Sequence, residues 1–223
     1  MTRRSDYLEA ARQYAMLLLY AVILGVIAGL VSGGKFAALG STHIRLWPVA
    51  LLGLFAQLLL FSSPLAAVVG PWGPSLYVVS TVLVLMALVV NLRLPGFWLI
   101  ILGALANFTV IVANGGQMPA APAAWAALNG VAAVPTTDFS NSVLAGPQTV
   151  LAFLGDNFVL PRPLPLANVF SIGDVLIGIG AALFIVGSMH GRVLPRLLRP
   201  EARPSARPDA PPDARQGVQA SHG

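Results

Sequence analysis

Apolar residues fall in long blocks along this chain, and glycine, proline or a polar pair closes each block. The first block runs from about Tyr14 to Val31, the second from about Pro48 to Val69 and the third from about Leu76 to Leu92. The fourth runs from about Gly96 to Ala113 and the fifth from about Ser171 to Met189. A helix needs about 20 apolar residues to cross the hydrocarbon core of a bilayer. Inside lipid each crossing must also satisfy its own backbone polar groups. The pattern therefore predicts an all-α fold, an integral membrane bundle of five transmembrane helices with a short third span. The joins carry Ser32-Gly33-Gly34, Gly70-Pro71-Trp72-Gly73-Pro74, Leu94-Pro95-Gly96 and Asn114-Gly115-Gly116, all helix-breaking. The short joins predict antiparallel hairpins for the second and third helices and for the third and fourth.

Three stretches lie outside this pattern. Residues 1–13 precede the first block; Tyr7, Leu8 and Ala11 share one face and predict an interfacial turn or two. The first block is longer than a signal-peptide core and further spans follow, so it is read as a retained helix. The only long connection, about 115–170, is rich in Ala, Pro, Gly and Asn. It is expected to hold two short helical pieces, Ala121–Leu128 and Gln148–Leu154, the second lying on the surface or re-entering the membrane edge. The alternating prolines of Leu160–Pro165 force an extended chain. Residues 192–223 form a basic Pro/Ala-rich tail with nothing to bury, and are expected to be disordered.

Composition agrees with a membrane protein. Of the 223 residues, 57% are hydrophobic and 9% charged, too few charges for a water-facing surface. The mean hydropathy is +0.79. There is no cysteine, which removes disulfides, thiolate metal sites and cysteine nucleophiles. His43, His190 and His222 all stand outside the apolar runs, so no metal or haem site is expected, and no cofactor. The net charge of +5 comes from arginines that flank the spans and fill the tail, a membrane usage rather than a nucleic-acid one. With five spans, Arg3, Arg4, Arg12 and Arg162 lie on one side. Lys35, Arg45, Arg93, Arg192, Arg196 and Arg199 lie on the other. The positive-inside rule puts the tail in the cytoplasm, and the N-terminus and long loop outside.

Polar residues within spans mark the candidate chemistry. These are Gln57, Asn91, Arg93, Asn107, Asn114 and Asp174, with Asn107 and Asn114 seven apart on one helix face. They read either as inter-helix hydrogen bonds or as a polar path. Gly25, Gly29 and Gly33 repeat every four residues, as do Asp174, Gly178 and Ala182, the spacing that lets helices pack closely. Asp156 and Asp174 are the catalytic candidates, because two carboxyls held close cannot both ionise and together activate water. Ser171 and Asp174 also have the spacing of a helix-capping box, which gives Asp174 a structural reading.

Two resemblances carry these readings further. Phe170, Asp174 and the apolar run Val175–Gly180 look like the last helix of the lipoprotein signal peptidases, intramembrane aspartic enzymes. That family has Asn where Ser171 stands, further Gly-Asn and Asp-Arg elements, and four spans. A broader resemblance rests on several elements. They include Gly33-Gly34, Gln57, Asn91 with Leu94-Pro95, Leu102-Gly103 with Asn107, Asn114-Gly115-Gly116-Gln117-Met118-Pro119, Leu154-Gly155-Asp156 and Ser171–Asp174. In these the chain resembles an uncharacterised bacterial membrane family known as a domain of unknown function, number fifty-three-seventeen. It implies a five-helix architecture in a bacterial cell membrane and no known activity. Three functions are expected in this order. The first is a structural or accessory subunit whose partners are the lipid bilayer and other membrane subunits or itself. The second is a small transporter or channel near Gln57, Asn107 and Asp174. The third is an intramembrane hydrolase using Asp156 and Asp174.

Overall fold

The structure, a computed structural model, describes residues 16–60, 72–129, 142–161 and 167–191. Residues 1–15, 61–71, 130–141, 162–166 and 192–223 lie outside the described residues; they take in the N-terminal extension, the end of the second apolar block with Gly70-Pro71, part of the long connection, most of the Leu160–Pro165 stretch and the basic tail.

Five apolar helices follow the five blocks: α1 (Met16–Val31), α2 (Trp47–Leu60), α3 (Gly73–Val89), α4 (Phe97–Ala113) and α6 (Ile172–Met189). A shorter α5 (Pro122–Asn129) lies in the long connection. Local chemistry sets the helix ends. Gly33, at φ 86°, turns the chain out of α1, and the Gly34 amide donates to Gly29 O at 2.8 Å. Gly96, at φ 76°, starts α4 immediately after Pro95. Gly115 and Gly116, at φ 71° and 90°, end it after Asn114. Of the described helices, α6, with 18 residues, is the one long and apolar enough by itself to cross a membrane.

Glycines set the packing of the bundle. α1 and α6 run parallel: a Cβ on Gly25 would stand 2.9 Å from Ala182 Cα, and one on Gly178 would stand 3.3 Å from Ala21 Cβ. Gly29 packs on Met189. α4 and α6 run antiparallel, with Gly96 against Gly180 and Gly103 against Gly173. Phe97 and Phe184 meet edge-on at 5.3 Å. α2 and α3 form a separate antiparallel pair in which Gly53 sits under Ser80 and Val84. Gly33, expected on the packing face with Gly25 and Gly29, serves as the left-handed turn instead, and a Cβ there would meet nothing within 4 Å.

The fold departs from the all-α expectation in the long connection. Four short strands form a sheet there: β1 (Met118–Ala120), β2 (Ser142–Leu144), β3 (Asp156–Leu160) and β4 (Asn168–Ser171). Their order is β2-β1-β3-β4; β1 pairs in parallel with β2 and β3, and β3 pairs antiparallel with β4. Asp156 stands opposite Ser171, and Phe158 stacks on Phe170 at 5.5 Å. Gln148–Leu154, expected as a short helix, is mostly turn, with one 3-10 turn at Ala152–Leu154. Two buried clusters join the sheet to the bundle and to α5: Val110, Ile111 and Met118, and Ala124, Leu128 and Val169. The sheet is thus a roof over one end of the helices.

Candidate functional site

Beneath the roof lies a cavity of about 270 Å³. Its polar lining comes from six elements: Gln57 on α2, Tyr77 on α3, Asn107 on α4, Asp156 on β3, Asn168 on β4 and Asp174 on α6. Its apolar lining includes Leu17, Leu18, Leu54, Ile111, Met118 and Ile177. The antiparallel order brings the start of α1, the end of α2, the start of α3, the end of α4 and the start of α6 to one level. Every lining residue comes from those ends or from the sheet.

The wall around Asp174 is rigidly built. Ser171 caps α6: Asp174 N donates to Ser171 Oγ at 3.0 Å, and Ser171 N donates to Asp174 Oδ2 at 2.9 Å. This is the capping box expected from the Ser-x-x-Asp spacing. Asn107 Nδ2 donates to Asp174 Oδ1 at 2.8 Å, and its Oδ1 lies 2.9 Å from Ser171 Oγ. The Ser171 hydroxyl has one proton to share between Asn107 Oδ1 and Asp174 Oδ2, the latter 2.8 Å away. Gly173 makes this closure possible, since any side chain there would collide with the Asn107 amide.

Asp156 is different. It is 5% exposed, and among the described residues no hydrogen-bond donor reaches its carboxyl. A buried carboxylate without donors is costly. Burial, reinforced by the nearby Asp174 charge, pushes its carboxyl up to about 8. At neutral pH the two acids are therefore unequal: Asp156 mostly holds a proton, while hydrogen bonds hold Asp174 in place. Gln57 Nε2 donates to Thr81 Oγ1 at 3.1 Å, which fixes the far wall.

The remaining polar candidates lie elsewhere. Asn114 closes α4 and clamps the connection: its Nδ2 donates to Val110 O at 2.7 Å and Val150 O at 2.8 Å, and its Oδ1 accepts from Val150 N at 3.0 Å. Asn91 does the same at the opposite end of the bundle. It is 4% exposed, accepts from Arg45 N at 2.8 Å and donates to Arg45 O at 2.7 Å. Arg93 is exposed at that opposite end. Gln57, Asn107, Asp156 and Asp174 meet in the cavity; Asn91, Arg93 and Asn114 do not. Tyr77 and Asn168 were missing from the sequence candidates. Tyr77 precedes Ser80 and Thr81 within an otherwise apolar span, a polar stripe that is the one signal for it.

Among the described residues no group of three or more His, Cys, Asp or Glu is placed to hold a metal ion. The fold and site together define a helix bundle with an acid-lined cavity roofed by a small mixed sheet. The chain belongs to the family of unknown function DUF5317, whose model matches residues 41–186. It is 30% identical over 138 residues to an uncharacterized protein of Thermotoga maritima, covering 59% of this chain and 75% of that protein. No solved structure matches.

Proposed function

We propose that this chain is a five-span membrane protein whose roofed cavity binds a small organic cation at the outer face, a transport-class binding site. The observation that carries the reading is the bare, buried Asp156 carboxyl facing a cavity that Asp174, Asn107 and Gln57 also line.

The membrane setting is supported by what the helices expose. Leu24 is 62% exposed, Leu52 61% and Trp98 57%, an outer surface suited to lipid rather than water. Asp174 is the only charged residue in the five long helices. α1 begins and α2 ends at the limit of the described residues, while α3 and α4 have 17 residues each, close to the span length. Lys35, Arg45 and Arg93 gather at the end opposite the cavity, which favours that end as cytoplasmic. On this reading the membrane domain covers residues 14–191.

An ammonium or guanidinium group entering the cavity must displace the Asp156 proton. Among the described residues, Asp174 and Tyr77 are the other ionisable groups facing Asp156. Affinity should therefore rise about tenfold per pH unit below about 8 and level off above it. The test is calorimetric titration of methylammonium and guanidinium into detergent-solubilised protein between pH 6 and 9, beside acetate and a neutral alcohol. Cation binding that strengthens with pH and weakens roughly tenfold or more in Asp156→Asn supports the reading. Equal binding by the variant, or no preference for cations, overturns it.

A second reading is the intramembrane hydrolase, favoured because both acids line one cavity and one of them holds a proton. Asp174 would take a proton from water as it attacks a carbonyl, while Asp156 donates its proton to the carbonyl oxygen. Hydrolysis of a membrane-anchored ester or peptide, abolished in both Asp156→Asn and Asp174→Asn, distinguishes it from simple binding. A purely structural role suits the helix faces but leaves the bare Asp156 carboxyl without a purpose.

A further inference from the structure

The cavity is walled unevenly. On the α4 and sheet side its lining is sealed: Ile111 and Met118 are each 5% exposed. On the α1 and α2 side the residues that line it also face outward: Leu18 is 41% exposed and Leu54 50%. Among the described residues, α1 packs on α6 and α2 packs on α3, and no packed face joins α1 to α2. Among the described residues the cavity therefore opens sideways, through a gap whose lips are leucines and whose depth holds carboxyls and amides. Deep polar groups behind an apolar slot fit a molecule with a polar head and a hydrocarbon chain. A wholly water-soluble ion has no use for leucine lips.

We propose that the occupant is an amphiphile, an alkyl chain bearing a cationic amine head, which reaches the cavity from the outer leaflet between α1 and α2. The amine sits at Asp156, with Asp174 and Asn107 behind it, and the chain leaves past Leu18 and Leu54 into lipid. This rests on the cation-binding reading and adds its route and the class of its ligand. Carboxyls select a positive head, and the amide groups of Asn107 and Gln57 suit hydroxyls beside the amine. The chain stays largely in hydrocarbon, so the head gains the site without the whole molecule being pulled from the membrane.

The test uses the full-length protein in phosphatidylcholine vesicles with a sixteen-carbon primary amine carrying a diazirine mid-chain, and an alcohol with the same chain and diazirine. After illumination, labelled residues are mapped by mass spectrometry. The amine is expected to label the segments around Leu17, Leu18 and Leu54 above the other lipid-facing positions. Methylammonium should compete the label away, Asp156→Asn should reduce it by roughly tenfold or more, and the alcohol should show no such focus. If methylammonium binds but the amine labels α4 around Trp98 and Leu102 as heavily as the lips, sideways access is refuted while cation binding stands. If the alcohol focuses on the lips as well as the amine does, the cationic head is refuted. If methylammonium does not bind and no focus appears, the cation reading falls with it. The amine and alcohol comparison uses the unaltered protein, so it decides the matter even where Asp156→Asn folds poorly.

Discussion

Replacing Asp156 with asparagine should flatten the dependence of the protein's stability on pH. The side chain keeps its shape and loses its titration. In the folded chain the carboxyl is held at about 8, against an ordinary value of 3.8. Between those values the folded state binds a proton that the unfolded state has released, so stability falls as pH rises. The contribution is complete below about pH 4 and is lost as pH climbs through about 8. From pH 6 to pH 9 the loss amounts to about 2 to 3 kcal/mol for a carboxyl at about 8, with 1.4 kcal/mol for each pH unit below it. For a chain of this size that corresponds to a fall of roughly 5 to 10 °C in melting temperature. The assay is intrinsic tryptophan fluorescence during heating of the detergent-solubilised protein at pH 6, 7, 8 and 9. The unaltered protein should melt lower at each step up to pH 9, while Asp156→Asn should change little and overtake it at the alkaline end. A flat profile for the unaltered protein, or the same slope in the variant, would refute the claim that burial keeps Asp156 protonated.

Three further outcomes follow from the packing. Gly180→Ala would place a Cβ 2.6 Å from Gly96 O and 2.9 Å from Ile100 N. Both neighbours are backbone, so the melting temperature should fall by the equivalent of about 1 to 3 kcal/mol; Gly146→Ala, with nothing within 4 Å, serves as the neutral control. Asn91→Leu strips the Arg45 amide and carbonyl of their partners and should cost about 2 to 4 kcal/mol in a thermal melt, with faster proteolysis at the α1–α2 connection. Ser171→Ala removes the α6 cap and should cost about 1 kcal/mol, while Ser171→Thr, which keeps the hydroxyl, should recover most of it; equal melts for the two would discount the cap.

The helices were legible because long apolar blocks closed by glycine and proline leave little alternative, and the glycine spacing on α1 and α6 identified most of their shared face. Gly33 was misread because a repeat of four cannot tell a packing glycine from a terminating one; only its φ of 86° separates them. The sheet was hidden for physical reasons. Its strands are three to five residues long, too short for any period to show. β1 carries Pro119, which lacks a donor and argues against a strand on local grounds. Its parallel partners lie more than twenty residues on, beyond the reach of hairpin signals. Asp174, Asn107 and Gln57 stood out as costly polar residues within apolar spans, and Asp156 as a second carboxyl that could pair with Asp174. That Asn91 and Asn114 bond backbone rather than line a site depends on what approaches them, and the neighbouring sequence does not record it.

Ser171 belongs to two elements at once: it ends β4 and caps α6. No flexible linker separates the sheet from that helix, so the two are rigidly in series. Any tilt of the sheet must either break the hydrogen bonds at Ser171 or swing the helix axis like a lever. The far end of that lever, about 27 Å away at 1.5 Å per residue, touches the start of the α1–α2 connection, where Met189 O accepts from Lys35 N at 2.9 Å. A molecule wedged under the roof would thus be felt mechanically on the other side of the bundle.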